Sequence, residues 1–296
     1  MKIVVTGADG QLGRSLRALD KERKQKFRAN EYDYVFAGHC GLDVTDRDAV
    51  QAFMRRERPD AIVNCAAWTD VDGAESNEEG ARLLNAAAPA YLAQAASETG
   101  ALLIHISTDY VFSGDRSDGL PYTESDRPAP ATAYGRTKLE GEEAIMQSGC
   151  RYLILRTAWL YSPYGKNFVK TMLRLFDEKE AIQVVADQFG SPTSAIDLAR
   201  CIEQLLARQV LARQVLPCGL YHYTDEGRCS WYDFAQEISR LSGKTSCEIR
   251  PCTTADYPTP AHRPAWSVLD KTKIKEIAGL EIPDWKDALK DFIQNG

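Results

Sequence analysis

The chain has 296 residues, 44% hydrophobic and 26% charged, with a net charge of -6, the proportions of an ordinary globular protein able to bury a sizeable core in one or two domains. That balance leaves no basic footprint for nucleic acid or an anionic membrane surface, and no apolar run is long enough to span a bilayer. Residues 2-8 are too short for a signal peptide and run directly into a turn, so the protein is expected in the cytoplasm.

Ile3-Val4-Val5 reads as a first buried strand, followed at once by Gly7-Ala8-Asp9-Gly10-Gln11-Leu12-Gly13 and a helix over Leu12 to Leu19. Glycines between a strand and a helix let the backbone turn sharply and approach a pyrophosphate, whose charge rests on the helix N-terminal amides. The second strand, Tyr34-Val35-Phe36, ends in Ala37-Gly38-His39-Cys40. An NAD-preferring site usually places there an acid for the ribose 2'-hydroxyl. None is present, and Arg14 opens the helix after the glycine loop. The pattern favours NADPH, with NADH possible.

Arg47 to Arg56, Ala81 to Ser97 and Tyr134 to Gln147 are long enough for crossover helices. They alternate with strands at Ala61-Ile62-Val63, Leu102 to Ile106 and Tyr152 to Leu155. The expected fold is α/β, a doubly wound parallel Rossmann sheet whose ligand lies beyond the strand carboxyl ends. After Arg156 the rhythm changes to aromatic, Gly/Pro-punctuated segments of the kind that line a substrate cleft. The expectation is a dinucleotide-binding domain over 1-156, joined by a later segment around 193-225, and a smaller C-terminal substrate-binding α/β domain over 157-192 and 226-296. The tandem Leu206-Ala-Arg-Gln-Val210 and Leu211-Ala-Arg-Gln-Val215 reads as a helix extension or surface insertion.

Eight cysteines form no Cys-x-x-Cys pair and read as reduced thiols. The four histidines (39, 105, 222 and 262) stand apart, without the spacing of a zinc site. Tyr134 and Lys138 are four apart on one helix face, where an ammonium would lower the phenol's pKa and allow proton exchange with a substrate oxygen.

The glycine loop, Asn64-Cys65-Ala66-Ala67, Ser107-Thr108-Asp109-Tyr110-Val111-Phe112 and Tyr134-x-x-x-Lys138 occur in the order of the extended short-chain dehydrogenase/reductase family, which the chain resembles. Asp43-Val44, Ala74-Glu75, Asn85, Asn167-Phe168, Asp187 to Thr193 and Tyr257 to Pro264 are similar to its dTDP-4-dehydrorhamnose reductase branch. The resemblance implies NAD(P)H-dependent reduction of the C4 ketone of dTDP-4-dehydro-β-L-rhamnose, in nucleotide-sugar and cell-surface polysaccharide biosynthesis. It makes Tyr134 the general acid, Lys138 the ribose ligand that lowers the tyrosine pKa, and Thr108 a hydrogen-bond donor to the same oxygen.

The same resemblance assigns the coenzyme to Gly7, Gly10, Gln11, Leu12, Gly13, Arg14, Asp43, Val44, Ala66, Ala67 and Asn85, besides Tyr134 and Lys138. It assigns the substrate to Thr108, Asp109, Tyr110, Trp159, Asn167, Gln188 and Arg263. The resemblance also implies that some members of this reductase group carry glutamates that hold magnesium at a dimer interface, but Ser15 and Ile196 stand at the matching places. Magnesium is therefore doubtful, no metal ligand is assigned, and a monomer or weak homodimer is expected. Alternatives open at this point are a reductase or epimerase of another nucleotide 4-keto sugar and a non-catalytic regulatory subunit resembling that of methionine adenosyltransferase.

Overall fold

A computed structural model describes residues 1-26, 32-208 and 217-295. The elements in chain order are β1 (Lys2–Thr6), α1 (Gln11–Lys26), β2 (Asp33–Ala37), α2 (Arg47–Glu57), β3 (Ala61–Asn64), α3 (Val71–Ser76), α4 (Glu78–Arg82), α5 (Ala88–Thr99), β4 (Leu102–Thr108), α6 (Ala133–Gln147), β5 (Arg151–Thr157), β6 (Leu160–Tyr161), α7 (Phe168–Glu178), β7 (Ala181–Val185), β8 (Phe189–Gly190), β9 (Thr193–Ser194), α8 (Ala195–Leu206), β10 (Gly219–His222), β11 (Cys229–Ser230), α9 (Trp231–Ser242), β12 (Glu248–Cys252), α10 (Thr272–Ala278) and α11 (Trp285–Asn295).

Continuous apolar runs become central strands because successive side chains point to opposite faces and both faces are covered. Ile3, Val5, Val63, Ile104 and Leu155 pack with Leu12 and Leu16 of α1 and Leu198 and Ile202 of α8. Val4, Ile62, Leu103 and Ile154 pack on the other face with Val50, Met54, Leu92 and Ile145 of α2, α5 and α6. The sheet has the order β10-β5-β4-β3-β1-β2, and all its pairings are parallel. It is a doubly wound Rossmann-like sheet, as expected. The order reverses between β1 and β3, so the crevice for a ligand lies above their carboxyl ends.

Gly7 fixes that crevice: its φ is +61° and a Cβ there would come within 2.5 Å of the Ala66 backbone nitrogen, so the ends of β1 and β3 approach as only glycine allows. The Ala81 to Ser97 stretch holds a π-helical turn at Leu83–Ala87 between α4 and α5. Gly141 of α6 lies against this turn, where a Cβ would come within 2.1 Å of the Asn85 carbonyl oxygen.

A second core joins Val169, Met172 and Phe176 of α7, Phe234 and Ile238 of α9, Trp285 and Leu289 of α11, and Val184 of β7, which pairs in parallel with β12. Ser230 begins α9 with a reciprocal capping box to Asp233, and Gly243 ends it in the left-handed conformation. β10 pairs in parallel with β5 to extend the main sheet, and α8 packs in the same core as α1 to cover it. The reading of the duplicated segment as a helix extension falls largely on residues 209-216, outside the described residues. Among the described residues no helix is long and apolar enough to cross a membrane.

Candidate active site

The first turn of α6 carries Tyr134. Thr132 caps the helix by accepting from the Gly135 amide at 3.0 Å, and Glu75 accepts from the Ala133 amide at 2.8 Å. Gly135 lets this turn touch the end of β4, since a Cβ would come within 2.2 Å of the Tyr110 carbonyl oxygen. Tyr134 consequently meets Tyr110 edge-on, with ring centroids 5.6 Å apart. The β4 end supplies Thr108, whose hydroxyl donates to Asp109 Oδ1 at 3.0 Å and accepts from the Tyr110 amide at 3.2 Å.

These groups line one cleft of about 600 Å³ with Gly10, Gln11, Leu12, Ala67, Lys138 and Trp159. The glycine loop forms its floor. A Cβ on Gly13 would come within 2.6 Å of the Ala8 Cα, whereas one on Gly10 would meet only the Gly7 carbonyl oxygen, at 3.3 Å. The loop is thus tight where it packs on the protein and open where a phosphate approaches. This cradle, beside a carboxyl-end cleft, fits a dinucleotide.

Electrostatics in the cleft differ from the simple Tyr-Lys expectation. Burial pushes the Tyr134 phenol well above its ordinary range, opposed by the Thr108 hydroxyl, and Lys138 is not among the groups that shift it. Lys138 is 1% exposed and donates to the Ile106 carbonyl at 2.6 Å. Burial lowers its pKa to about 8, against the pull of Glu142. The expected lowering of the tyrosine by Lys138 is not found: burial outweighs the Thr108 hydroxyl and favours the protonated phenol, the form a general acid requires. Burial also raises the Asp109 carboxyl to about 6.

Trp159, with φ +50°, lines the cleft and stacks on Trp231 at 3.5 Å between centroids. Gly190 lies beneath its indole, where a Cβ would come within 2.6 Å. Tyr110 and Trp231 form the border with a second cleft of about 710 Å³, lined by Phe168, Met172, Gln183, Gln188, Tyr257 and Arg263. Arg263 donates to Asp72 Oδ2 at 2.6 Å and to the Tyr110 hydroxyl at 3.1 Å. Gln188 donates to Thr254 Oγ1 at 3.0 Å.

Several expected contacts lie elsewhere. Asn85 is fully buried, accepting from the Trp68 amide at 2.8 Å and donating to the Trp68 carbonyl and Thr137, so its side chain clasps the loop after β3 instead of the coenzyme cleft. Asn167 caps α7 and donates to Gln11 Oε1 at 3.0 Å and the Ser162 carbonyl at 2.7 Å. Val44 points into the sheet core, and Asp43 accepts from its own turn at Thr45. Ala66 backs Gly7. Asn85, Asn167 and Asp43 thus satisfy local backbone groups that the linear pattern leaves unassigned, while Val44 fills core space.

Arg14 is exposed and lies over the Tyr164 ring at 4.3 Å. With Asp9, Arg17 and Lys21 it lines a surface hollow near the end of β2. Sequence reasoning missed Arg17, Asp72 and Trp231. Arg17 follows Arg14 on the same helix face, a signal that spacing carried; Asp72 and Trp231 meet the site only through distant chain crossings.

The chain matches the RmlD substrate binding domain family over residues 1–296. It is 39% identical over 296 residues to the dTDP-4-dehydrorhamnose reductase of Aggregatibacter actinomycetemcomitans, covering 98% of each chain. It is 42% identical over 292 residues to a probable dTDP-4,6-dihydroxy-2-methyloxan-3-one 4-ketoreductase of Streptomyces antibioticus, covering 98% of this chain and 94% of the other. The crystal structure of dTDP-4-dehydrorhamnose reductase from Bacillus anthracis in complex with NADP superimposes with a TM-score of 0.90 at 37% identity, covering 100% of this chain and 99% of the other.

Proposed function

This chain belongs to the RmlD substrate binding domain family, and from that premise we propose that it reduces the C4 ketone of dTDP-4-dehydro-β-L-rhamnose to dTDP-β-L-rhamnose with NADPH, NADH serving as a weaker alternative. The observation that supports this reading most is the convergence of Thr108, Tyr134 and Lys138 on one cleft floored by the glycine loop. NADPH supplies a hydride to the carbonyl carbon when bound. Negative charge then grows on the ketone oxygen, and donors aimed there favour the transition state over the ground state.

Tyr134, held protonated by burial, gives its proton to that oxygen. Thr108 orients the carbonyl, and Lys138 binds the nicotinamide ribose. Gly7, Gly10, Gln11, Leu12 and Gly13 cradle the pyrophosphate, and Arg14, with Arg17, faces the 2'-phosphate. Trp159 and Tyr110 hold the sugar, Asp109 fixes Thr108, and Arg263 and Gln188 meet the nucleotide diphosphate in the second cleft. The coenzyme domain is 1-156 joined by 193-225, and the substrate domain is 157-192 with 226-296. The protein acts as a cytoplasmic monomer or weak homodimer in nucleotide-sugar and cell-surface polysaccharide biosynthesis.

The test is NADPH oxidation with dTDP-4-dehydro-L-rhamnose against a panel of other nucleotide 4-keto sugars. Turnover preferring the rhamnose precursor is expected. Preference for another sugar would move the assignment to a related ketoreductase, and coenzyme binding without turnover on any sugar would favour the regulatory subunit.

A further inference from the structure

His105 is fully buried on β4 and has no part in the chemistry above. Its neighbours nevertheless fix where its proton sits. Asn64 Oδ1 accepts from the Ala66 backbone amide at 3.2 Å and from the Thr6 hydroxyl at 2.7 Å. A backbone N–H can only donate, so the oxygen of the Asn64 amide must face Ala66 and its NH₂ must face the other way. That NH₂ lies 3.0 Å from His105 Nδ1. Nδ1 therefore accepts, and in the neutral ring the proton resides on Nε2. Burial and the Lys138 charge keep the ring neutral, well below the ordinary histidine range.

Nε2 lies 3.5 Å from Lys138 Nζ. An ammonium has three donors and no acceptor, so against an Nε2–H it meets a second donor. A neutral amine accepts that hydrogen and still donates to the Ile106 carbonyl, which lies 2.6 Å away. We propose that His105 is a positioning residue for the reduction: locked by Asn64 with its proton on Nε2, it turns a donor toward Lys138, so that proton loss from Lys138, and not from Tyr134, closes the alkaline side of coenzyme binding and turnover. The inference rests on the ribose-binding role given to Lys138 above.

The surroundings agree. From α6, Glu142 faces Lys138 and favours the ammonium, but both its oxygens are engaged by Arg156 of β5, at 2.8 and 2.6 Å. Tyr134 one turn earlier is held neutral by burial, and Asp109 at the end of β4 lines the same cleft. Across from His105, β3 presents only the Asn64 amide, and β5 presents Ile154 in register. Lys138, lowered to about 8, titrates before the raised Tyr134 on the alkaline side.

Two measurements test this. NMR of the full-length protein carrying ¹⁵N-labelled histidine reads the ring of His105 directly: a proton on Nε2 is expected, and a proton on Nδ1 overturns the inference, whatever the substrate proves to be. The second follows NADPH dissociation constants and kcat/KM against pH for Asn64→Asp, whose carboxylate accepts a hydrogen bond from Nδ1–H, so that the ring proton moves from Nε2 to Nδ1 and the Nε2 lone pair is left for the ammonium. The alkaline limb should move upward by about one pH unit or more. In the His105→Phe background the same substitution should move it much less. An unmoved limb, or an equal movement in both backgrounds, overturns the inference, since the latter would report only the added charge. Wild-type protein that binds NADPH but turns over no nucleotide sugar would instead sink the proposed activity, leaving the binding profile and the NMR to decide the role of His105.

Discussion

Tyr134→Phe removes one oxygen and leaves the ring in place. The ring is 9% exposed and meets Tyr110 edge-on at 5.6 Å, a contact phenylalanine preserves. The lost polar contact is with Thr108, whose hydroxyl keeps its bonds to Asp109 and to the Tyr110 amide. Stability should therefore fall by only about 1 kcal/mol, the worth of one hydrogen bond, or roughly 2–4 °C in Tm. Catalysis loses its proton donor. General-acid transfer contributes about 10²- to 10⁴-fold, equivalent to about 3–5 kcal/mol of barrier. The expected result is a kcat lowered by that factor with KM and NADPH affinity close to wild type, measured by steady-state NADPH oxidation and fluorescence titration. Near wild-type kcat would refute the general-acid role. A large loss of Tm with proportionate loss of activity would mean that the tyrosine is structural, and a raised KM at unchanged kcat would mean that it only binds substrate and does not act in the transition state.

Arg156 and Glu142 form a pair with side chains 3% and 0% exposed; Arg156→Met should cost about 3–5 kcal/mol in urea unfolding by stranding a buried carboxylate, with partial recovery on adding Glu142→Gln. Asp109 is raised to about 6 from 3.8, so between those values the folded state binds more protons than the unfolded one and stability falls as pH rises through the window. Asp109→Asn should flatten that part of the stability–pH curve by up to about 3 kcal/mol, and an identical slope in the variant would disprove the assignment. Ser15 donates its hydroxyl to the Gln11 carbonyl at 2.9 Å, and the Ile196 side chain has no ligating atom, so neither place that the family resemblance implies for a magnesium-binding glutamate supplies a carboxylate. Initial rates should be unchanged by a chelator, and abolition restored by magnesium would contradict this.

What the linear sequence determined is the local and repetitive part of the protein. Apolar runs such as Ile3 to Val5 and Leu102 to Ile106 form central strands because burial on both faces requires them. The glycine loop was equally legible, because Gly7 must adopt a positive φ beneath the Ala66 backbone. Thr108 and Tyr134 were paired by the family resemblance of their two segments, and the fold brings the end of β4 and the first turn of α6 to one cleft. Tertiary structure alone decided the rest. Asn85, Asn167 and Val44 turned inward because buried backbone groups and core space claimed them. Trp159 acquired a cleft-facing pose only through Trp231 and Gly190, brought from separate parts of the chain. Spacing placed Lys138 one turn from Tyr134, but the buried carbonyl of Ile106 and the ring of His105 determined where its amine points. Sequence periodicity specifies which face a side chain occupies; the direction of a buried charge depends on the acceptors that packing supplies there.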